Sequence, residues 1–243
     1  MRTIYLSPHL DDAVFSCGGM IWKQASRDEK VEIWTVCAGD PPDGPLSPYA
    51  ELLHVQWGTG REAPAVRRQE DRAACRIMGA AYRHLSFQDC IYRRSPDGEW
   101  LYDAETLNGE LKPVDEAQVE TLVEFLVLSL HADDRLLCPL TVGSHVDHRL
   151  VRRAAERSGH PLAYYVDMPY ILRAPSSVEP LVEKMKAANE AVGKDGLKAW
   201  MDAVAAYTSQ ISSYWCSMEA MKEEISAYGI NGIPIWSPRP GLL

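Results

Sequence analysis

Short apolar runs alternate with helically spaced apolar stripes along this chain, and that alternation predicts βαβ units building a parallel sheet. Residues 3–7 read as the first strand. Residues 12–27 follow as a helix, with Val14, Cys17, Ile21 and Trp22 on one face. A second strand is expected at 31–37, then a Pro/Gly-rich loop through Pro41, Pro42, Gly44, Pro45 and Pro48, of the kind that often serves as a functional lid. The pattern continues with a helix at 65–78 stopped by Gly79, a strand at 82–87, and a polar irregular stretch at 94–109. A helix at 116–131 carries a stripe of Val119, Leu122, Val123 and Leu126. A strand at 135–140, a helix at 147–157 and a strand at 162–167 complete the alternating part. Beyond it the expectation is helical, at 178–191, 197–207 and 215–228, with a tail at 234–240 too proline-rich for regular structure. The whole of 1–243 reads as one α/β domain with a helical C-terminal elaboration.

Composition narrows this picture little. Hydrophobic residues at 46% and charged residues at 24% are ordinary globular values. A net charge of -9 argues against a nucleic-acid partner, which calls for a basic patch or stripe. Six scattered cysteines without a CxxC pair read as free, buried thiols, and with no signal peptide or membrane span in view the expected location is the cytoplasm. A homo-oligomer is compatible with all of this.

The chemistry concentrates at strand ends. His9, Asp11 and Asp12 follow the first strand, Asp89 follows the strand at 82–87, and His145, Asp147 and His148 follow the strand at 135–140. In open α/β sheets ligands bind beyond the carboxyl ends of the strands, so three separate strand ends deliver acids and imidazoles to one edge. Zinc accepts imidazole nitrogen and carboxylate oxygen. Two imidazoles and one carboxylate leave its fourth position open to water. Of the adjacent pair Asp11 and Asp12, one can bind metal while the other faces the water as base.

Taken singly, several of these residues have plainer uses. An Asp pair at a strand-to-helix junction is often an N-cap, a lone His in a Gly-Ser-His turn is usually at the surface, and Arg67 with Arg68 reads as a solvated helix face. His54, His84, His131 and His160 lack metal-like spacing. The Gly18-Gly19 pair lacks the GxGxxG spacing of a nucleotide-binding loop and reads as a close packing of helix on sheet. Trp57, Trp100, Tyr92 and Tyr102 are aromatic enough to stack on sugar faces, although packing is their default use.

Pro8-His9-Leu10-Asp11-Asp12, the Gly18-Gly19 pair and His145-Val146-Asp147-His148 together resemble the GlcNAc-phosphatidylinositol de-N-acetylase (PIG-L, or LmbE-like) family. The resemblance extends to Arg67-x-x-Glu70-x-x-x-Ala74-x-x-x-Met78-Gly79, to Asp89, and to Tyr207-x-Ser209-Gln210. It implies a Rossmann-like three-layer fold and a zinc-dependent hydrolase that removes an N-acetyl group from an amino-sugar substrate, with Fe2+ as an alternative metal. By position it implies His9, Asp12 and His148 as ligands and Asp11 as the general base for the water at the metal. His145 is implied to stabilise the oxyanion or protonate the leaving amine. Asp147 is implied to orient His145 and favour its charged form, and Arg67 and Asp89 to hold sugar hydroxyls. The family's first motif commonly reads His-Pro-Asp-Asp-Glu; here Leu10 and Ala13 stand in place of Pro and Glu, neither of them an implied ligand. The alternatives are an amidase on another small amide or thiol conjugate, a non-catalytic metal or sugar-binding module, and a nucleotide-binding Rossmann protein.

Overall fold

In the computed structural model, which describes residues 1–239, five parallel strands form first: β1 (Arg2–Ser7), β2 (Lys30–Thr35), β3 (Ala81–His84), β4 (Arg135–Pro139) and β5 (Leu162–Tyr165). Two more, β6 (Met185–Glu190) and β7 (Ile233–Pro238), join antiparallel, giving the order β3-β2-β1-β4-β5-β7-β6. The helices are α1 (Asp12–Ala25), α2 (Pro48–Gln56), α3 (Ala63–Met78), α4 (Glu116–Ser129) and α5 (Val146–Arg157), then α6 (Tyr170–Arg173), α7 (Glu179–Val182), α8 (Gly193–Val204), α9 (Ile211–Tyr214) and α10 (Met218–Gly229).

Side-chain alternation along the strands separates two cores. Tyr5, Ile33, Leu137 and Tyr165 point to one face and pack against α1, α3, α8 and α10. Ile4, Leu6, Trp34, Leu136 and Cys138 point to the other, beneath α4 and α5. The result is a three-layer, Rossmann-like α/β fold. From β1 the chain winds outward through β2 to β3, whereas β4 and β5 lie on its other side. The gap between β1 and β4 is therefore the topological switch point, where such sheets bind ligands.

Three expectations from the sequence need correction. The stretch at the end of the Pro/Gly-rich loop, for which no element was expected, forms α2, opened by Ser47, whose hydroxyl accepts from the Ala50 N–H at 2.9 Å. The helix expected at 178–191 is only the single turn α7, and the helix-forming run Met185-Lys186-Ala187-Ala188 is instead the edge strand β6. Pairing with β7 along six residues outweighs weak local propensity there. The tail likewise forms β7 through Pro238. It is tolerated because β5 pairs only with Ile235 and Trp236, leaving Pro234 and Pro238 outside that ladder. Pro240 lies outside the described residues.

The Gly18-Gly19 pair also has a different partner from the one expected. It faces α8, not the sheet: a Cβ on Gly18 would sit 2.4 Å from Trp200 Cδ1, and one on Gly19 2.4 Å from Val192 Cγ1. Trp200 is fully buried and donates its indole N–H to the Val14 carbonyl at 2.7 Å, so it cannot withdraw. Gly18→Val is expected to destabilise the fold by about 3 kcal/mol, the upper end of overpacking costs. A chemical-denaturation midpoint unchanged from wild type would contradict this packing.

Candidate active site

The carboxyl end of β1 turns sharply into α1. Ser7 Oγ donates to the His9 carbonyl at 2.6 Å and accepts from the Ala13 N–H at 3.0 Å. That turn presents His9 and Asp12 side by side, with the His9 N–H donating to Asp12 Oδ2 at 2.8 Å. The same oxygen lies 3.1 Å from His9 Nδ1 and 3.2 Å from His148 Nε2. Ligands around one tetrahedral zinc, at about 2.0–2.1 Å from it, stand about 3.3 Å apart. His148 comes from the first turn of α5, after β4, so both sides of the switch point contribute.

The far nitrogen of each imidazole is held by a carboxylate. His9 Nε2 lies 2.9 Å from Asp147 Oδ2, and His148 Nδ1 lies 2.6 Å from Asp167 Oδ1. Asp167 is fixed in turn by the Val142 N–H at 2.9 Å. Metal-binding histidines characteristically have such partners, which fix tautomer and ring orientation. The near nitrogen of His148 is completely buried and has no hydrogen-bond partner, although a carboxylate faces it. An orphaned imidazole nitrogen opposite a carboxylate is the arrangement a divalent cation satisfies, so the residues present fit one. His9, His145 and His148 also bring one nitrogen each within 4.8 Å of one another, so His145 borders the same centre. Asp12 makes the better third ligand, because one of its oxygens reaches both rings and its charge offsets a cation's.

Electrostatics agree with that assignment. Burial opposes charge on His148, yet Asp12 and Asp167 outweigh it and push the imidazole up to about 10. Burial likewise works against an ionised Asp12, but His148 and His9 hold it well below the usual carboxylate range. A cation in place of those imidazole protons meets an already anionic cradle. Burial lifts the Asp11 carboxyl to about 7 against the pull of Arg67, whose Nη2 lies 3.3 Å from Asp11 Oδ2.

His9, Asp11, Arg67, Asp89 and His145 line one cavity of about 230 Å³, and Asp12 and His148 stand against His9 without lining it. Arg67 stacks on Trp57 at 4.8 Å. Asp89 caps the short turn after β3 by accepting from the Ile91 N–H at 3.2 Å. The rest of the wall includes Tyr49, Trp57, Tyr170, Gln210, Ser213 and Tyr214. Of the four aromatics considered from sequence, only Trp57 lines this cavity. Tyr92 bonds His54, Tyr102 bonds Asp115, and Trp100 lies under Arg94. The C-terminal part of the wall is anchored on α3: Glu70 accepts from Thr208 Oγ1, Ser209 N and Ser209 Oγ at 2.7–2.8 Å, and Tyr207 donates to Asp71 at 2.6 Å.

Asp147 does not hold the His145 ring as expected. Its carboxylate is taken by His9, by the Cys90 N–H at 2.9 Å and by Arg93 at 2.6 Å. Only its backbone N–H reaches His145, donating to Nδ1 at 3.2 Å. His145 is also not favoured as a cation: burial, with His9 and His148 nearby, holds its pKa well below the usual value despite Asp147. With Nδ1 accepting, the neutral ring carries its proton on Nε2. Asp167 and Arg93 were missed by sequence reading. Asp167 stands just past β5, where the strand-end argument that found Asp89 applies equally; Arg93, in an irregular segment, carries no such signal.

Comparison with known proteins adds to this geometry. The sequence model of the GlcNAc-PI de-N-acetylase family matches residues 4–158. The chain belongs to the PIG-L family. Within it, a 2'-N-acetylparomamine deacetylase of Streptomyces fradiae is 33% identical over 174 residues, covering 70% of this chain and 57% of the relative. A 2'-N-acetylparomamine deacetylase of Niallia circulans is 27% identical over 183 residues, covering 69% and 66%. The match thus spans less than two thirds of either curated PIG-L relative. Among solved structures, the zinc-inhibited form of a teicoplanin deacetylase superposes with a TM-score of 0.85 at 27% identity, over 99% of this chain and 100% of that one.

Proposed function

We propose that this protein is a metal-dependent N-deacetylase of an N-acetylated amino sugar carried in a larger glycoside, with zinc the favoured metal and iron(II) the alternative. The observation that carries the reading is the cradle of His9, Asp12 and His148 beside a cavity that His9, Asp11 and His145 line. A passive metal binder has no use for those last two. A divalent cation held there supplies Lewis acidity, polarising an amide carbonyl and making water easier to deprotonate.

The chain's own residues do the rest. Asp11 accepts a proton from the water that adds to the amide carbon, and Arg67 keeps that carboxylate oriented. His145 donates its Nε2–H to the carbonyl oxygen as negative charge grows there. The proton on Asp11 then passes to the departing nitrogen as the C–N bond breaks, leaving acetate and a free amine. The aromatic wall of Tyr49, Trp57, Tyr170 and Tyr214 suits sugar faces, and Arg67, Asp89 and Gln210 supply polar contacts to hydroxyls. The paromamine and teicoplanin relatives support the substrate class.

We further place the whole chain in one catalytic unit, since β6 and β7 complete the sheet that carries the site. A cytoplasmic setting suits its five buried free thiols. No described helix is long and apolar enough to cross a membrane. Acetate release from a panel of N-acetylated amino sugars, including 2'-N-acetylparomamine, tests the activity. Release is expected to stop on chelation and return with zinc or iron(II). No release from any member, or release indifferent to chelator, would refute it.

A further inference from the structure

Beside His145, three donors of different kinds converge. Cys90 Sγ lies 4.0 Å from His145 Nε2, and one ligand atom each from Cys90, His145 and Asp147 falls within 4.8 Å of the others. All three side chains are buried, Cys90 and Asp147 completely. The reaction outlined above has no use for the thiol. The fold delivers it there because Asp89 starts the turn Cys90–Tyr92, and the Cys90 N–H is tied to Asp147. Asp147 Oδ1 lies 2.6 Å from the buried Arg93 guanidinium, so the carboxylate enters the cluster ionised and an added cation would share it with Arg93.

Thiolate, imidazole and carboxylate are together a zinc-type donor set. Tetrahedral Zn–S and Zn–N bonds of about 2.3 and 2.0–2.1 Å set sulfur and nitrogen about 3.6 Å apart, so the observed separation needs only a small closure. His145 lines the cavity, so an ion entering that way has access to it.

We propose that Cys90, His145 and Asp147 form a second, inhibitory zinc site next to the centre at His9, Asp12 and His148. Binding forms a Zn–S bond and releases the thiol proton to water, with no electron transfer. The His145 proton moves from Nε2 to Nδ1, giving up the long bond from the Asp147 N–H, and Nε2 then ligates the ion. His145 can no longer donate to a substrate oxygen. The loss of turnover rests on the deacetylase reading; the binding itself does not.

Cobalt(II) is the probe, titrated into metal-free protein carrying Cys216→Ser to remove the exposed thiol. The first equivalent is expected to bring no thiolate-to-cobalt charge-transfer absorption and the second to bring it, with Cys90→Ala losing it. In the activity assay, Cys90→Ala is expected to need about 10–100-fold more excess zinc for the same inhibition, with turnover at one equivalent unchanged. Cys90→Ser serves as a second variant should the alanine protein fail to fold. The site is overturned if no thiolate absorption develops, if it persists in Cys90→Ala, or if zinc inhibits both proteins equally. Thiolate absorption that depends on Cys90, in a protein inactive toward every acetylated sugar, would uphold the site and sink the deacetylase reading instead.

Discussion

Asp11→Asn is expected to keep its full complement of metal while kcat falls by about 10²–10⁴-fold, the range a positioned general base contributes. The carboxylate lines the cavity and is braced by Arg67, yet it lies outside the set that converges on Asp12. Asparagine preserves its shape and removes its basicity. The sign of the pH dependence follows from the same residue. A base works deprotonated, so kcat/KM falls as pH drops through its pKa. Burial places that pKa at about 7 despite Arg67, and a bound cation pulls it lower. The acid limb should therefore lie at or below about pH 7 and vanish from the residual activity of the variant. Metal analysis beside initial rates over pH checks both points, and metal loss from Asp11→Asn would make Asp11 a ligand.

His148→Ala and His145→Ala should part company even though the two residues share one turn. The first removes a completely buried ring held between Asp12 and Asp167, and should strip the protein of metal during dialysis against a mild chelator. Its loss should exceed the roughly 10–100-fold in affinity typical of outer partners such as Asp167. The second should retain metal and lose about 10²–10³-fold in rate, as when one oxyanion donor is removed. Equal metal content after dialysis would show that the two imidazoles do not divide the work in this way.

Residues at strand ends were legible in the sequence because a parallel sheet puts its chemistry there by construction. His9, Asp12 and His148 were among the residues that argument delivered to one edge, only the family resemblance singled them out as a ligand set, and the structure brings them together. What the pattern hides is the direction of a side chain within a turn. Asp147 was expected to serve its sequence neighbour His145, but the first turn of α5 aims its carboxylate across the switch point at His9, 138 positions away in the chain. The β6–β7 pair was hidden for a related reason: an alanine-rich run and a proline-rich tail each lack strand character alone, and only their pairing stabilises either. Tyr170, Gln210 and Tyr214 likewise reach the cavity from short segments without a readable period.

The grip of Glu70 and Asp71 on residues 207–209 couples two distant parts of the chain. All the proposed ligands, the base and the oxyanion donor fall inside the stretch common to the family, whereas Tyr170, Gln210, Ser213 and Tyr214 come after it. One helix of the matched stretch thus ties the later wall segment to the cluster around Asp12, so a change at Glu70 or Asp71 is expected to be felt in the cavity although neither residue lines it.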